Sequence, residues 1–411
     1  MHKNAIMVVI LVLLGSTSNG ELIGLDWREQ GRGAKALGIG GSFVSVADDP
    51  WAIYWNPAGL GKTKNPMVLI DAMMWHNNWT TMDITNRHYR GRRTSIPSVI
   101  AVMPICSFAF AIGHYIPVEE IWNAGEIQWH NQRVQLRSEK RIEYTTLSLA
   151  THWIFPFYLG LSFHRLQFLS RGSSLAKVYR YIFSNGWIGE EWNRTTFTGT
   201  GYSFALGTLV TPKRGKDFAG SLGLNFRING WGKGEIETNS MGFEDDNGTL
   251  FYGVPVFHQG NIRSGGSISA EVGLQISLFN LFSVAGAFLS PSEEKWHLEG
   301  YPADYFNLSD SSRINLPISI TRPTYRLGTE IFPTKQKKIA LHFGFASYGE
   351  NEGPYIWSSG FSYKYKRVNL EGAFQYAGLK KLHRTFQDTY SERKIERIFS
   401  LSVCYQFENE K

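Results

Sequence analysis

From Met67 onward the chain alternates apolar and polar positions. Phe218, Leu222, Leu224, Phe226 and Ile228 share one parity with Gly220, while Ala219, Ser221, Gly223, Asn225, Arg227 and Asn229 hold the other. Side chains of an extended strand point to opposite faces in turn, so this spacing predicts a strand with one apolar and one hydrated face. The same period returns elsewhere. Leu159, Leu161 and Phe163 alternate with Gly160, Ser162 and His164. Ile268, Val272, Leu274 and Ile276 alternate with Ser269, Glu271, Gly273 and Gln275. Ile339, Leu341, Phe343 and Phe345 alternate with Ala340, His342, Gly344 and Ala346, and Phe361, Tyr363 and Tyr365 with Ser362, Lys364 and Lys366.

About fourteen such segments are predicted, at 67–76, 95–105, 107–116, 141–153, 157–168, 195–211, 218–229, 263–278, 281–290, 321–332, 338–348, 355–366, 368–378 and 394–407. Most reach the ~9–11 residues that a tilted membrane-crossing strand needs. Short connections, as at Ile105-Cys106, Phe279-Asn280 and Arg367, alternate with long ones at 77–94, 117–140, 169–194, 230–262, 291–320 and 379–393, all expected to be loops. A soluble sandwich also alternates, with its apolar face inward. Strand length, strand number and the short–long rhythm of connections favour an outer-membrane β-barrel. The expected fold is therefore all-β, a transmembrane antiparallel barrel of about 14 strands. An even strand number leaves both chain ends on the periplasmic side. Aromatics near strand ends (Trp153, Phe157, Tyr325, Tyr355, Trp357, Tyr365, Tyr405) suit interfacial girdles. In the last strand Phe399, Leu401, Val403, Tyr405 and Phe407 share a face, which turns Cys404 to the lumen as a buried, inert thiol.

The N-terminus breaks this grammar. His2 and Lys3 precede an apolar run from Ala5 to Leu14, and Ser18-Asn19-Gly20 offers small residues for cleavage. Residues 1–20 read as a secretory signal peptide, so export by the general secretory pathway is expected, to the outer membrane of a Gram-negative-type cell. Residues 21–62 then form a compact plug ahead of a barrel over 63–411. Gly38, Gly40 and Gly41 cluster where backbone turns sharply. Ser42 to Ala47 leans toward strand, Asp48-Asp49-Pro50 starts a helix, Trp51 to Trp55 allows about one turn, and Pro57 ends it at Asn56.

The run Ala36-Leu37-Gly38-Ile39-Gly40-Gly41, the pair Asp48-Asp49 and the turn Asn56-Pro57-Ala58-Gly59 together resemble the N-terminal hatch of the FadL-type superfamily of outer-membrane barrels. Aromatics just before Asn-Pro-Ala-Gly-Leu bring the motif closer to the PorV-like branch. The resemblance implies a hatch inside the barrel, with Gly38, Gly40, Gly41, Asp48, Asp49, Asn56, Pro57 and Ala58 as hatch and gate residues. It also implies one of two roles. The first, placed ahead, is passive uptake of hydrophobic small molecules, fatty-acid-like or aromatic. The second is a PorV-like component of the type IX secretion system, with secretion proteins as partners. Gly31 to Ala36 also spells G-x-G-x-x-A, but no hydrophobic strand precedes it, so a dinucleotide loop is set aside.

Composition narrows the chemistry. The 411 residues include 42 glycines, 14% aromatics, 19% charged residues and two cysteines, which suits a turn-rich β protein and not a disulfide scaffold. The net charge of +7 lies in turns and loops such as Arg87 to Arg93 and Lys335 to Lys338, and not on one patterned element. Nucleic acid is therefore not an expected partner. Solvated loop charge is the plain reading, and contact of the first run with outer-membrane lipid and lipopolysaccharide the sharper one. No G-x-S-x-G elbow or H-E-x-x-H occurs, so no catalytic residue, metal site or cofactor is expected and the chain is read as a non-enzyme. His152, His164 and His342 share parity with small polar residues and face inward. Lumenal Arg227, Glu271, Arg326, Glu330, Lys364 and Glu371 carry both signs. They suit an internal network that fixes the hatch better than a polar guide for a ligand head group. Loop tryptophans, among them Trp122 and Trp192, are expected to capture an amphipathic ligand, and Trp51, Tyr54 and Trp55 to line its pocket at the gate.

Overall fold

The computed structural model describes residues 33–82, 87–94, 98–129, 132–154, 156–178, 189–212, 218–245, 250–252, 256–264, 267–279, 281–290, 292–299, 314–321, 324–334, 336–348, 355–384 and 389–407. Fourteen antiparallel staves close into a barrel. In chain order they are β1 Met67–Met82, β2 Ser98–Ile105, β3 Phe108–Trp129, β4 Gln132–Ile154, β5 Phe157–Val178, β6 Gly189–Val210 and β7 Phe218–Asp245. There follow β8 Ser267–Leu278, β9 Phe282–Leu289, β10 Thr324–Ile331, β11 Ile339–Tyr348, β12 Tyr355–Tyr365, β13 Val368–Arg384 and β14 Thr389–Gln406. Strand pieces Arg87–Thr94, Val256–Ser264, Ser292–Glu299 and Ile314–Thr321 adjoin β2, β8, β9 and β10 in sequence on their long-strand side. Each stave pairs with its neighbours in sequence, and β14 closes on β1 through Met67↔Gln406 to Met82↔Ser391. Phe407 N donates to Pro66 O across the seam.

The wall is apolar outside and polar inside. Ile70, Phe110, Leu161, Leu222, Leu327, Phe343 and Leu401 are exposed, whereas Ser162, Asn225, Glu271, Arg326, Glu330, His342 and Glu371 are buried. That inversion of the soluble pattern is what a lipid-facing barrel requires. Among the described residues no helix is long and apolar enough to cross a membrane. Phe157, Tyr365 and Tyr405 are exposed near the short-turn end, and Tyr325, Tyr355 and Trp357 near the other, as the girdle reading expects. The side chain of Trp153 lies outside the described residues. Cys106, in the turn after β2, is exposed and free, and Cys404 is buried and free.

All fourteen strand segments are present, but the long connections are not the expected loops. The β4–β5 ladder runs out to Gln132↔Val178, and the β6–β7 ladder to Glu191↔Gly242. Most of 77–94, 117–140, 169–194, 230–262 and 379–393 is strand. Beyond the lipid both faces of a strand meet water. The apolar alternation then stops while the hydrogen-bonded ladder continues.

The core lies in the lumen, where residues 33–62 pack. There α1 covers Ala34–Gly38, α2 covers Ala52–Trp55, and a 3-10 turn covers Pro57–Lys62. Gly40 and Gly41 take φ of 64° and 77°, the left-handed region that glycine enters at no steric cost. Gly38, expected in the turn, instead ends α1. Ser42 to Ala47 forms turns, not a strand, with Val46 N and Ala47 N both donating to Phe43 O. Asp49 Oδ1 accepts from Trp51 N at 2.7 Å, so the acidic helix start holds, one residue before α2 proper. Asn56 is extended at φ −161° before Pro57, as expected.

Candidate functional site

Irregular backbone buried in a barrel must find partners for its peptide groups. The wall supplies them through small residues at lumenal positions. Ser162 Oγ donates to Ile53 O at 3.0 Å, Ser221 Oγ to Ser45 O at 2.8 Å and Ser358 Oγ to Gly38 O at 3.1 Å. Ser402 Oγ accepts from Ala34 N at 3.1 Å and donates to Asp71 Oδ1. Asn56 does the same from the other side. Its Nδ2 donates to Val44 O at 2.8 Å and Thr208 O at 3.0 Å, and its Oδ1 accepts from Ala58 N.

Where no hydroxyl stands, the wall has glycine. Register pairs Gly160 with Gly207, Gly223 with Gly273 and Gly328 with Gly344. A Cβ on Gly207 would meet Asn56 Oδ1 at 2.1 Å, and one on Gly344 would meet Gly40 N at 2.0 Å. The segment therefore rests directly on the wall at β5 to β8 and at β10 and β11.

Toward β3, β4 and β5 the contact is aromatic. Trp51 meets Tyr115 edge-on at 5.3 Å, and Tyr54 meets Trp55 at 5.5 Å, Tyr115 at 5.9 Å and Tyr144 at 6.3 Å. All five rings are buried. Arg227 lies 4.4 Å from the Tyr54 ring centroid and donates to Tyr54 O at 2.6 Å, and Arg326 lies 5.1 Å from Trp55. Beside Tyr144, His164 shares a polar knot with Thr146 and Tyr115.

A third contact is ionic. Lys35 Nζ binds Asp48 at 2.7 Å and Glu330 at 3.0 Å, and Arg326 binds Glu271 at 2.5 Å. Burial pulls the Lys35 ammonium down, but Asp48, Glu330 and Glu371 outweigh it and hold its pKa well above the ordinary lysine value. Burial raises Asp48, yet Lys35 and Lys62 leave it below the usual carboxylate value. Asp49 is pushed well up by burial, Glu371 and Asp48, against the pull of Lys35. Burial brings Lys62 down to about 8, and its ammonium donates to Val46 O.

Gly38, Gly40, Gly41, Asp48, Asp49, Trp51, Tyr54, Trp55, Asn56, Pro57 and Ala58 thus come together in one lumenal body. Trp122 and Trp192 do not sit in loops. They occupy strand register positions opposite Ser138 and Leu175, and their side chains lie outside the described ones, as does that of His152. The lumenal charges form the expected mixed network, except that Lys364 is exposed at the short-turn end. Sequence reasoning missed Lys35, Lys62, Tyr115, Tyr144 and Thr146. A tyrosine at 144, among Thr146, Ser148 and other polar residues of lumenal parity, was the available signal.

No protein-family model matches the chain, and no curated protein matches it. Solved structures do share its fold. The Pseudomonas putida toluene transporter TodX superposes with a TM-score of 0.66 at 12% identity, covering 93% of this chain and 100% of that one. The Ralstonia pickettii toluene transporter TbuX gives 0.64 at 13%, with 93% and 100% covered. A Pseudomonas aeruginosa FadL homologue gives 0.63 at 13%, with 92% and 98% covered.

Proposed function

We propose that this chain is an outer-membrane channel for passive uptake of hydrophobic small molecules, aromatic or fatty-acid-like, and that residues 33–62 are its hatch. One observation carries the reading. The lumen of a closed barrel is filled by a segment that is no part of the wall and that presents an aromatic face to β3, β4 and β5. A body held by side-chain contacts and close packing can shift without breaking the wall ladder. In this reading the short turns face the periplasm and the long strands face outward. Trp51, Tyr54 and Trp55 line the ligand's path at the gate, and Trp122 and Trp192 lie on the outer extensions where a ligand is first captured. The toluene transporters that share the barrel support a hydrophobic cargo and a role in transport, not catalysis. Arg87 to Arg93, on the strand piece adjoining β2, suits contact with lipopolysaccharide phosphates.

Mass spectrometry of the gently purified protein tests this. A retained hydrophobic small molecule is the expected result. A stoichiometric secretion-system protein with no small molecule would replace uptake by the type IX reading.

A further inference from the structure

We propose that the short-turn rim formed by the β10–β11 and β12–β13 turns binds the phosphodiester head of an anionic phospholipid. The proposal goes beyond uptake. It takes from that reading only the periplasmic side of the short turns, which makes the lipid one of the inner leaflet. Residues 331–340 and 361–370 hold six lysines or arginines and no aspartate or glutamate. The turns after β2 and β8, Cys106-Ser107 and Phe279-Asn280-Leu281, hold no charge, so basic turns are not a general feature of this rim. The fold sets the two basic turns side by side, because β11 pairs with β12. Past the last register pair, Ile339↔Tyr363, Lys364 N donates to Lys338 O at 2.7 Å, so these two lysines stand opposite each other. Lys338, Lys364 and Lys366 are exposed. Like charges set directly across a strand pair repel. An anion held between them offsets that cost.

Lys337 and Lys366 hold the same left-handed turn position, each at φ 52°. From it Lys337 Nζ lies 4.6 Å from the Phe332 ring centroid, and Lys366 Nζ 5.5 Å from that of Tyr365. Tyr365 belongs to the aromatic girdle at this end. An ammonium drawn onto such a ring is held at the depth of lipid head groups. Next to the turns, Ile339, Leu341, Phe361 and Tyr363 are exposed on the outer wall as the pairs Ile339↔Tyr363 and Leu341↔Phe361. Cations at the girdle beside an apolar strip match a phosphodiester with acyl chains attached. A zwitterionic head is a poorer match, since it brings its own ammonium to the lysines. An acidic protein matches the cations but not the strip, which lies in the bilayer.

The test is native mass spectrometry of the full chain, purified in a neutral detergent and titrated with dioleoyl phosphatidylglycerol or dioleoyl phosphatidylethanolamine. The two lipids share their acyl chains and differ in net charge. The wild type is expected to hold the first about 25-fold more tightly, roughly fivefold for each ring-held lysine. Added salt should shrink the difference. Lys337→Gln with Lys366→Gln should remove most of the preference, and Lys233→Gln, exposed on the outer half of β7, should keep it. Excess inorganic phosphate should not displace the lipid, which its acyl chains also hold. No preference in the wild type, a preference that survives the double variant, or full displacement by inorganic phosphate overturns the proposal. An acidic protein retained by the wild type and lost from the double variant, without lipid preference, would put a protein partner in its place. Each of these failures leaves uptake standing, because uptake is read from small molecules retained in the lumen and not from this rim. Heat-dependent gel migration shows whether the variants keep the barrel, and the wild-type comparison stands without them.

Discussion

Asp49 shows how a residue of the lumenal segment combines two roles. Its Oδ1 caps Trp51 N, while burial, Glu371 and Asp48 raise its pKa against the pull of Lys35 and of that same Trp51 N–H. A carboxylate whose folded pKa is raised keeps a proton that the unfolded chain has lost. Stability then falls as pH rises from the ordinary value of 3.8 through the raised one. Asp49→Asn keeps the capping oxygen and removes that fall. The variant's unfolding midpoint should exceed the wild type's at pH 8 and match it near pH 3.5, and equal midpoints at both would contradict the assignment. Gly344 makes a second residue-scale case. Gly344→Val drives a Cβ into Gly40 N, and overpacking of this kind costs ~1–3 kcal/mol. Gly286→Val is the control, since its Cβ meets nothing nearer than 3.8 Å. Urea unfolding should separate the two. Equal midpoints would mean that the segment yields at Gly40 without cost.

At the scale of elements, the segment proposed as the hatch is the piece whose removal is most telling. Deleting Gly33 to Leu60 removes α1, α2 and most of the 3-10 turn but no stave. The shortened chain should insert and conduct ions across a planar bilayer, while the full chain stays nearly closed. Unchanged conductance would show that the segment does not occlude the pore. The staves themselves were legible because lipid on one side and a hydrated lumen on the other impose a period of two. Their outer halves were not, because water on both sides erases that period while pairing such as Trp122↔Ser138 continues. In the hatch, the glycine turn at Gly40-Gly41 and the break at Asn56-Pro57 were readable from local backbone rules. Its seating was not. That Gly207 and Gly344 accept the hatch main chain, or that Lys35 reaches Glu330, depends on which staves the closed barrel sets opposite the segment. No spacing along one strand records that.

For the whole molecule, closure through β1 and β14 sets both barrel ends beside the lumenal segment, so a single chain supplies the wall and the body packed inside it. Hydrophobic molecules are held back at the polar outer leaflet and not by the apolar bilayer interior. A channel for them must therefore shorten passage through that leaflet without an energy source. The most direct measurement is the initial uptake rate of a radiolabelled aromatic hydrocarbon or long-chain acid into de-energised cells that make the protein, lack it, or make a Trp55→Ala, Asn56→Ala double variant at equal membrane levels. The account predicts faster uptake with the wild type than without it, and an altered rate in the double variant. Uptake no faster than in cells lacking the protein, across several ligand classes, would contradict it.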